Sequence, residues 1–270
     1  MEQTRIVTSG GHPVWVAGAP GPTVIFVHGV LMDHRMWSAT VAALGDRYRV
    51  CCIDMLGHGD ANDPPGERTL SDFVNQVAEV VEQFSDHGKP VLGGFSMGGM
   101  VTQGYAVAHS QNLAGVVILN AVYERNEKEQ NTVRERSQAM SDGGVQAAID
   151  SANARWFVSA DRQDQPELVE ATLQWMRDGD FSSKVKAHRV FSRGDIELAG
   201  KLGQIRCPAL VMTGDGDGGS TPAMAERMAA AIPDAQLHVL DGQRHMMPVL
   251  DAERVNPIIR RFLDEKCFAS

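Results

Sequence analysis

The stretch Pro90-Val91-Leu92-Gly93-Gly94-Phe95-Ser96-Met97-Gly98 decides the fold. It sets a serine between glycines two positions before and two after, directly behind a short apolar run. A chain can turn sharply from strand to helix at a serine only if small residues flank it at those positions, and such a turn presents the hydroxyl to a base. The pattern therefore predicts a strand before Ser96 and a helix after it, and the apolar spacing from Met97 to about His109 has the helical period. Gly-x-Ser-x-Gly alone also describes ordinary turns, so the flanking signals are what give the motif weight.

Working outward, β-rich runs alternate with helical patterns. Thr23 to Val27 precedes a helix near Met36 to Leu44, and Tyr48 to Ile53 precedes one near Leu70 to Phe84. Val91 to Gly93 leads into the helix after Ser96, and Leu113 to Leu119 follows. Such alternation predicts an α/β fold whose mostly parallel sheet is flanked by helices, with ligands at the carboxyl ends of the strands. From Glu124 to about Leu202 the strand signal stops and the chain becomes charged and helical. Pro208 to Thr213 and Gln236 to Leu240 restore it, each followed by a helix, at Pro222 to Ala231 and near Val249 to Leu263. The expected organisation is one core domain, residues 1–122 and 203–270, with a helical cap subdomain, residues 123–202, inserted into it. Charge runs such as Glu124 to Glu129 read as solvated helix faces. Trp156, Phe157 and Trp175 read as apolar core of the cap, with Trp156 and Phe157 also candidates for the wall of a cleft between cap and sheet.

At 270 residues and 43% hydrophobic content, the chain can bury a full core without a metal or disulfide staple. Its formal charge of -9 disfavours nucleic acid or an anionic membrane as partner, because binding phosphates needs a basic footprint. Cys51, Cys52, Cys207 and Cys267 lack metal or redox spacing and read as reduced packing residues. No apolar segment follows Met1 to Arg5, and no run approaches ~18 apolar residues, so a cytoplasmic protein is expected. Nothing in the sequence specifies an oligomeric state.

A serine nucleophile needs a base within hydrogen-bond reach and a carboxylate to orient that base. Among nine histidines, His245 stands out: it follows the last strand pattern through the short loop Asp241-Gly242-Gln243-Arg244, which brings it to the same sheet edge as Ser96. The loop Gly214-Asp215-Gly216-Asp217 after the preceding strand offers two candidate carboxylates, and Ser220 or Thr221 before Pro222 reads as a helix cap. A second acid position, after Leu113 to Leu119, is occupied by Asn120-Ala121, which has no carboxylate. The oxyanion formed on attack needs preorganised N–H donors. The amide of Met97 is one, and Val30, after His28-Gly29, supplies the other, with His28 a buried structural side chain.

With these residues in view, the chain resembles the α/β-hydrolase-fold family, in the branch containing enol-lactonases, carboxylesterases and carbon-carbon bond hydrolases. The resemblance spans nearly the whole chain: His28-Gly29 with Asp33 to Trp37, Asp54-Met55-Leu56-Gly57-His58-Gly59, Gly94 to Gly99, Gly214 to Pro222, and Gly242 to His245. It implies Asp217, three residues after the loop's first glycine, as the acid. It implies no cofactor and no metal, and a small-molecule ester or lactone as substrate, with carbon-carbon bond hydrolysis or a ligand sensor of little turnover as alternatives. Ser96 separates the chain from branches with an aspartate nucleophile, and Met246-Met247 follows His245 where carbon-carbon hydrolases of ring-cleavage products usually carry tryptophan. An apolar, adaptable acyl pocket is expected from Met32, Trp37, Trp156, Phe157 and Met246.

Overall fold

The computed structural model of the protein describes residues 1–269. Eight strands form one sheet: β1 (Thr4–Val7), β2 (Pro13–Gly18), β3 (Thr23–Val27), β4 (Arg49–Ile53), β5 (Val91–Phe95), β6 (Gly115–Leu119), β7 (Ala209–Gly214) and β8 (Ala235–Leu240), in the order β1-β2-β4-β3-β5-β6-β7-β8. β2 runs antiparallel to both β1 and β4, and every other pairing is parallel. The central strands Thr-Val-Ile-Phe-Val of β3 and Gly-Val-Val-Ile-Leu of β6 are buried along their whole length, as expected of parallel strands covered on both faces. The β1-β2 hairpin lies outside the strand patterns of the sequence. Its signals are faint, a turn at Ser9-Gly10-Gly11 and the apolar residues of Val14-Trp15-Val16-Ala17.

Around the sheet stand α1 (Ser38–Leu44), α2 (Leu70–Gln83), α3 (Met97–His109), α9 (Pro222–Ala231), α10 (Met247–Leu250) and α11 (Ala252–Phe262). Between β6 and β7 the chain forms α4 (Glu127–Arg155), α5 (Ser159–Asp164), α6 (Pro166–Arg177), α7 (Phe181–Phe191) and α8 (Gly194–Leu198). Local chemistry sets these ends. Asn126 caps α4 by accepting the Glu129 N–H, while the Glu129 carboxylate reaches back to the Asn126 N–H. Thr221 rather than Ser220 caps α9, ahead of Pro222 at the first helical position. The helix expected at Met36 begins as a 3-10 turn at His34–Trp37, because the Asp33 side chain accepts the Arg35 N–H and starts the turn early. The last helix divides at Asp251, whose ψ of 38° breaks the helical repeat.

Strand register positions the site. Val27 lies opposite Gly94, Phe95 opposite Leu119, Leu119 opposite Met212, and Gly214 opposite Leu240. The parallel strands therefore end on one edge, and the loops leaving them carry Val30, Ser96, Asn120, Asp217 and His245. α4 packs on α6 and α7, α6 meets α10, and α8 rests on α3, so the inserted helices lie over that edge.

Candidate active site

Ser96 joins β5 to α3 with φ 53° and ψ -113°, a conformation that costs a non-glycine residue of the order of 1–3 kcal/mol. The surrounding backbone enforces it. The Ser96 N–H donates to the Leu119 carbonyl at 2.9 Å. A Cβ on Gly94 would run into the Gly98 carbonyl, and one on Gly98 into the carbonyls of Val27 and His28. Both glycines are thus required by close approach of main chain to main chain.

The Ser96 hydroxyl lies 3.1 Å from His245 Nε2, and His245 Nδ1 lies 2.7 Å from Asp217 Oδ2. A carboxylate can only accept, so Nδ1 carries the proton and Nε2 is free to take one from the serine. The imidazole touches Phe95 at 4.8 Å and Trp156 at 5.5 Å between ring centroids. Asp217 is buried, which alone would raise its pKa. Electrostatic attraction to the His245 imidazole, its hydrogen bond, the Ser220 N–H and the Asn120 amide outweigh that and hold the carboxyl below the usual carboxylate range. Oδ1 accepts the N–H groups of Gly219 and Ser220 at 2.8 and 3.0 Å, and Oδ2 accepts Asn120 Nδ2 at 2.9 Å. Asp215 is exposed instead, and its carboxylate accepts the Gln243 N–H at 3.2 Å, tying the acid loop to the loop of His245. In the sequence Asn120 reads only as a missing carboxylate; in the fold it points its amide at Asp217.

Among the described residues, neither the Val30 nor the Met97 N–H has a hydrogen-bond partner. Two buried imidazoles hold the Val30 loop. His28 Nε2 accepts the Met55 N–H at 2.9 Å while Nδ1 donates to the Gly29 carbonyl, and His58 Nε2 accepts the N–H of Leu31 at 3.3 Å. Burial lowers both pKa values, so both rings stay neutral and can accept these bonds. Leu31 itself is at φ 72°.

A cavity of about 420 Å³ opens above Ser96 and His245. Its apolar wall includes Leu31, Met140, Trp156, Phe191 and Met224, and its polar wall includes Arg125, Arg136, Arg155 and His188. Of the five residues expected at a pocket, Trp156 alone lines it. Met32 and Trp37 are wholly buried because the chain turns inward at Leu31, and Trp37 stacks on Phe26 at 4.6 Å. Phe157 and Met246 are buried too, Met246 at the start of α10. Trp175, half-buried, lies under the Arg35 guanidinium. The adaptable methionines at the cavity are Met140 and Met224.

Burial lowers the Arg155 guanidinium to about 10, with the charge of Arg136 acting in the same direction, and burial lowers Arg136 as well. His188 is pushed down to about 3, first by burial and then by Arg136, Arg125 and Arg155. Asp33, His34 and Asp54 bring three possible metal-ligating atoms within 4.8 Å of one another. Protein groups already engage them: Asp33 pairs with Arg35, and Asp54 accepts from the His34 N–H, its ring nitrogen and the Trp15 indole.

The profile of the Alpha/beta hydrolase family matches residues 24–258. The chain is 30% identical over 246 residues to the (E)-2-((N-methylformamido)methylene)succinate hydrolase of Acinetobacter baylyi, covering 90% of this chain and 91% of that one. It is 26% identical over 243 residues to 3-oxoadipate enol-lactonase 1 of the same organism, covering 90% and 88%. Among solved structures, a thermophilic esterase from Thermogutta terrifontis superposes with a TM-score of 0.83 at 26% identity, over 99% of this chain and 100% of that one. By the extent of these matches and by its fold, the chain belongs to the alpha/beta hydrolase family.

Proposed function

We propose that the protein is a serine hydrolase that cleaves a carboxylic ester or lactone through an acyl-enzyme. The observation that carries this reading is the hydrogen-bonded line Ser96–His245–Asp217 beneath a cavity. Ser96 Oγ attacks the carbonyl carbon as His245 Nε2 takes its proton. The carbonyl electron pair moves to oxygen and is held by the N–H groups of Val30 and Met97. Collapse expels the alcohol, which leaves with the proton from His245. Water then repeats the sequence on the acyl-enzyme, giving a carboxylic acid and free Ser96. Asp217 fixes the imidazole tautomer throughout, with Asn120, Gly219 and Ser220 fixing Asp217. Residues 123–202 act as a cap over a core of residues 1–122 and 203–270, enclosing the acyl group away from bulk water. The hydrolase and enol-lactonase named among the relatives support hydrolysis of a small acyl substrate.

The test is a screen of p-nitrophenyl esters, lactones and ring-cleavage acids with Ser96→Ala as control. Turnover of an ester or lactone that falls by about 10⁶-fold in the variant is the expected result. Undiminished turnover in the variant would refute the mechanism, and turnover confined to ring-cleavage acids would move the reaction to carbon-carbon bonds.

A further inference from the structure

The upper wall of the cavity carries two guanidiniums with no carboxylate in ion-pair contact; Asp217 is the negative charge that acts on both, and it is already engaged by His245, Asn120 and the Gly219 and Ser220 N–H groups. Among the described residues Arg136 has neither a hydrogen-bond nor an ion-pair partner, and Arg155 reaches only the Ser151 hydroxyl, at 3.3 Å. Arg125 on the same wall is already neutralised: it pairs with Asp195 at 3.0 Å and donates to the Phe191 carbonyl. Glu129, the acidic side chain on this wall, accepts the Asn126 N–H and lies 3.9 Å from Arg227. Two guanidiniums against the single charge of Asp217 thus leave a net positive charge facing the space above Ser96.

This arrangement is unfavourable as it stands, since withdrawing a charge from water without pairing it costs free energy, and two like charges add repulsion. Both arginines lie on α4, Arg136 before the break at Gly144 (φ 69°, ψ -163°) and Arg155 in the final turn. The break redirects the helix so that its two segments reach one cavity. Arg155 also stands beside the acid loop: its Nη1 is 3.8 Å from where a Cβ on Gly219 would be. His188, from α7, adds a third group. It is buried, lines the cavity, and its Nδ1 has no hydrogen-bond partner. Held neutral by burial and the arginines, its ring can exchange a hydrogen bond with a ligand without needing a counter-charge.

A guanidinium presents paired N–H groups in a plane that matches the two oxygens of a carboxylate. We propose that Arg136 and Arg155, with His188 beside them, form a subsite for a free carboxylate on the substrate, making the enzyme selective for esters or lactones that carry a second, ionised acid group. The proposal rests on the serine-hydrolase reading for its reaction, while the anion subsite itself can be tested by binding alone.

The kinetic arm compares acid-bearing esters with neutral partners of similar shape. 4-Nitrophenyl hydrogen succinate is set against 4-nitrophenyl 4-methylpentanoate, which has an isopropyl group in place of the carboxylate. Acetoxyacetate is set against isobutyl acetate, to place the acid on the alcohol side. At least one acid-bearing ester should be preferred in kcat/KM, and Arg136→Gln and Arg155→Gln should each reduce that preference about tenfold or more, mostly through KM. Preference for the neutral ester in both pairs, or a preference that survives both substitutions, would overturn the proposal.

The binding arm is calorimetric titration of succinate into the wild type, into Ser96→Ala and into the double variant Arg136→Gln/Arg155→Gln, with folding checked by thermal denaturation. Succinate should bind the first two and not the third, and inorganic phosphate should bind more weakly. Succinate binding with no ester or lactone turnover would uphold the subsite and remove the hydrolase reading. Turnover with no succinate binding, or with phosphate bound at least as tightly as succinate, would overturn the carboxylate subsite and leave the hydrolase reading intact.

Discussion

At the scale of single residues, the site depends on how two aspartates in one loop differ. Asp217 and Asp215 are two positions apart, yet one is buried with four hydrogen bonds and the other is exposed with a single backbone partner. Asp217→Asn would place an amide against His245 Nδ1 and favour the wrong tautomer, so kcat should fall by roughly 10⁴-fold. Asp215→Asn keeps an oxygen able to accept the Gln243 N–H, and its kcat should stay within about tenfold of wild type, since it removes only one exposed, charge-assisted bond. Steady-state kinetics on the best ester decides between them, and the reverse order would transfer the orienting role to Asp215. Sequence could narrow the acid to this pair, because a strand end followed by a glycine-rich loop is a local pattern. The family resemblance points to Asp217 by its place in the loop, while the partners that set it apart physically, from β6 and from the Gly219-Ser220 backbone, meet only in the folded chain.

At the scale of elements, α4 and α7 carry the least conventional features. Gly144 interrupts α4 at a φ/ψ combination open essentially to glycine alone, and a Cβ there would meet nothing within 4 Å. Gly144→Ala is therefore a purely conformational change, expected to destabilise by about 1–3 kcal/mol. Denaturant unfolding measures it, and unchanged stability would mean that the break is not required. His188 on α7 makes stability depend on pH. Folded, it stays neutral down to about 3, whereas in the unfolded chain it titrates near the ordinary 6.5. As the pH falls through this window the unfolded chain takes up a proton that the folded chain refuses, so stability declines with falling pH, by at most about 1.4 kcal/mol per unit. His188→Gln removes that linkage, and its melting temperature should fall less steeply than that of the wild type on acidification below 6.5. Parallel profiles would mean that His188 is protonated in the folded protein.

At the scale of the whole molecule, the parallel strands end together, and one edge gathers Ser96 from the end of β5, Asp217 from beyond β7, His245 from beyond β8 and the N–H groups of Val30, beyond β3, and Met97, at the start of α3. That gathering was legible because each piece is written locally as a strand pattern followed by a distinctive loop. The β1-β2 hairpin was not, since its strands are short and its turn unremarkable. The cavity wall was not legible either. Arg136, Arg155 and His188 lie on different turns and different helices, and in the sequence they look like any solvated charged face of an acidic chain. The methionines and Trp37 near the motifs looked like pocket residues but fill the core, because the inward turn at Leu31 is a tertiary consequence held by His58. The central claim is that Ser96 is a nucleophile activated by its surroundings. It is tested most directly by treating the native protein with a fluorophosphonate and mapping the adduct by peptide mass spectrometry, with Ser96→Ala as control. One adduct per chain, on Ser96, is expected, together with no labelling of the variant; a native protein that is left unlabelled, or labelled at another serine, would contradict it.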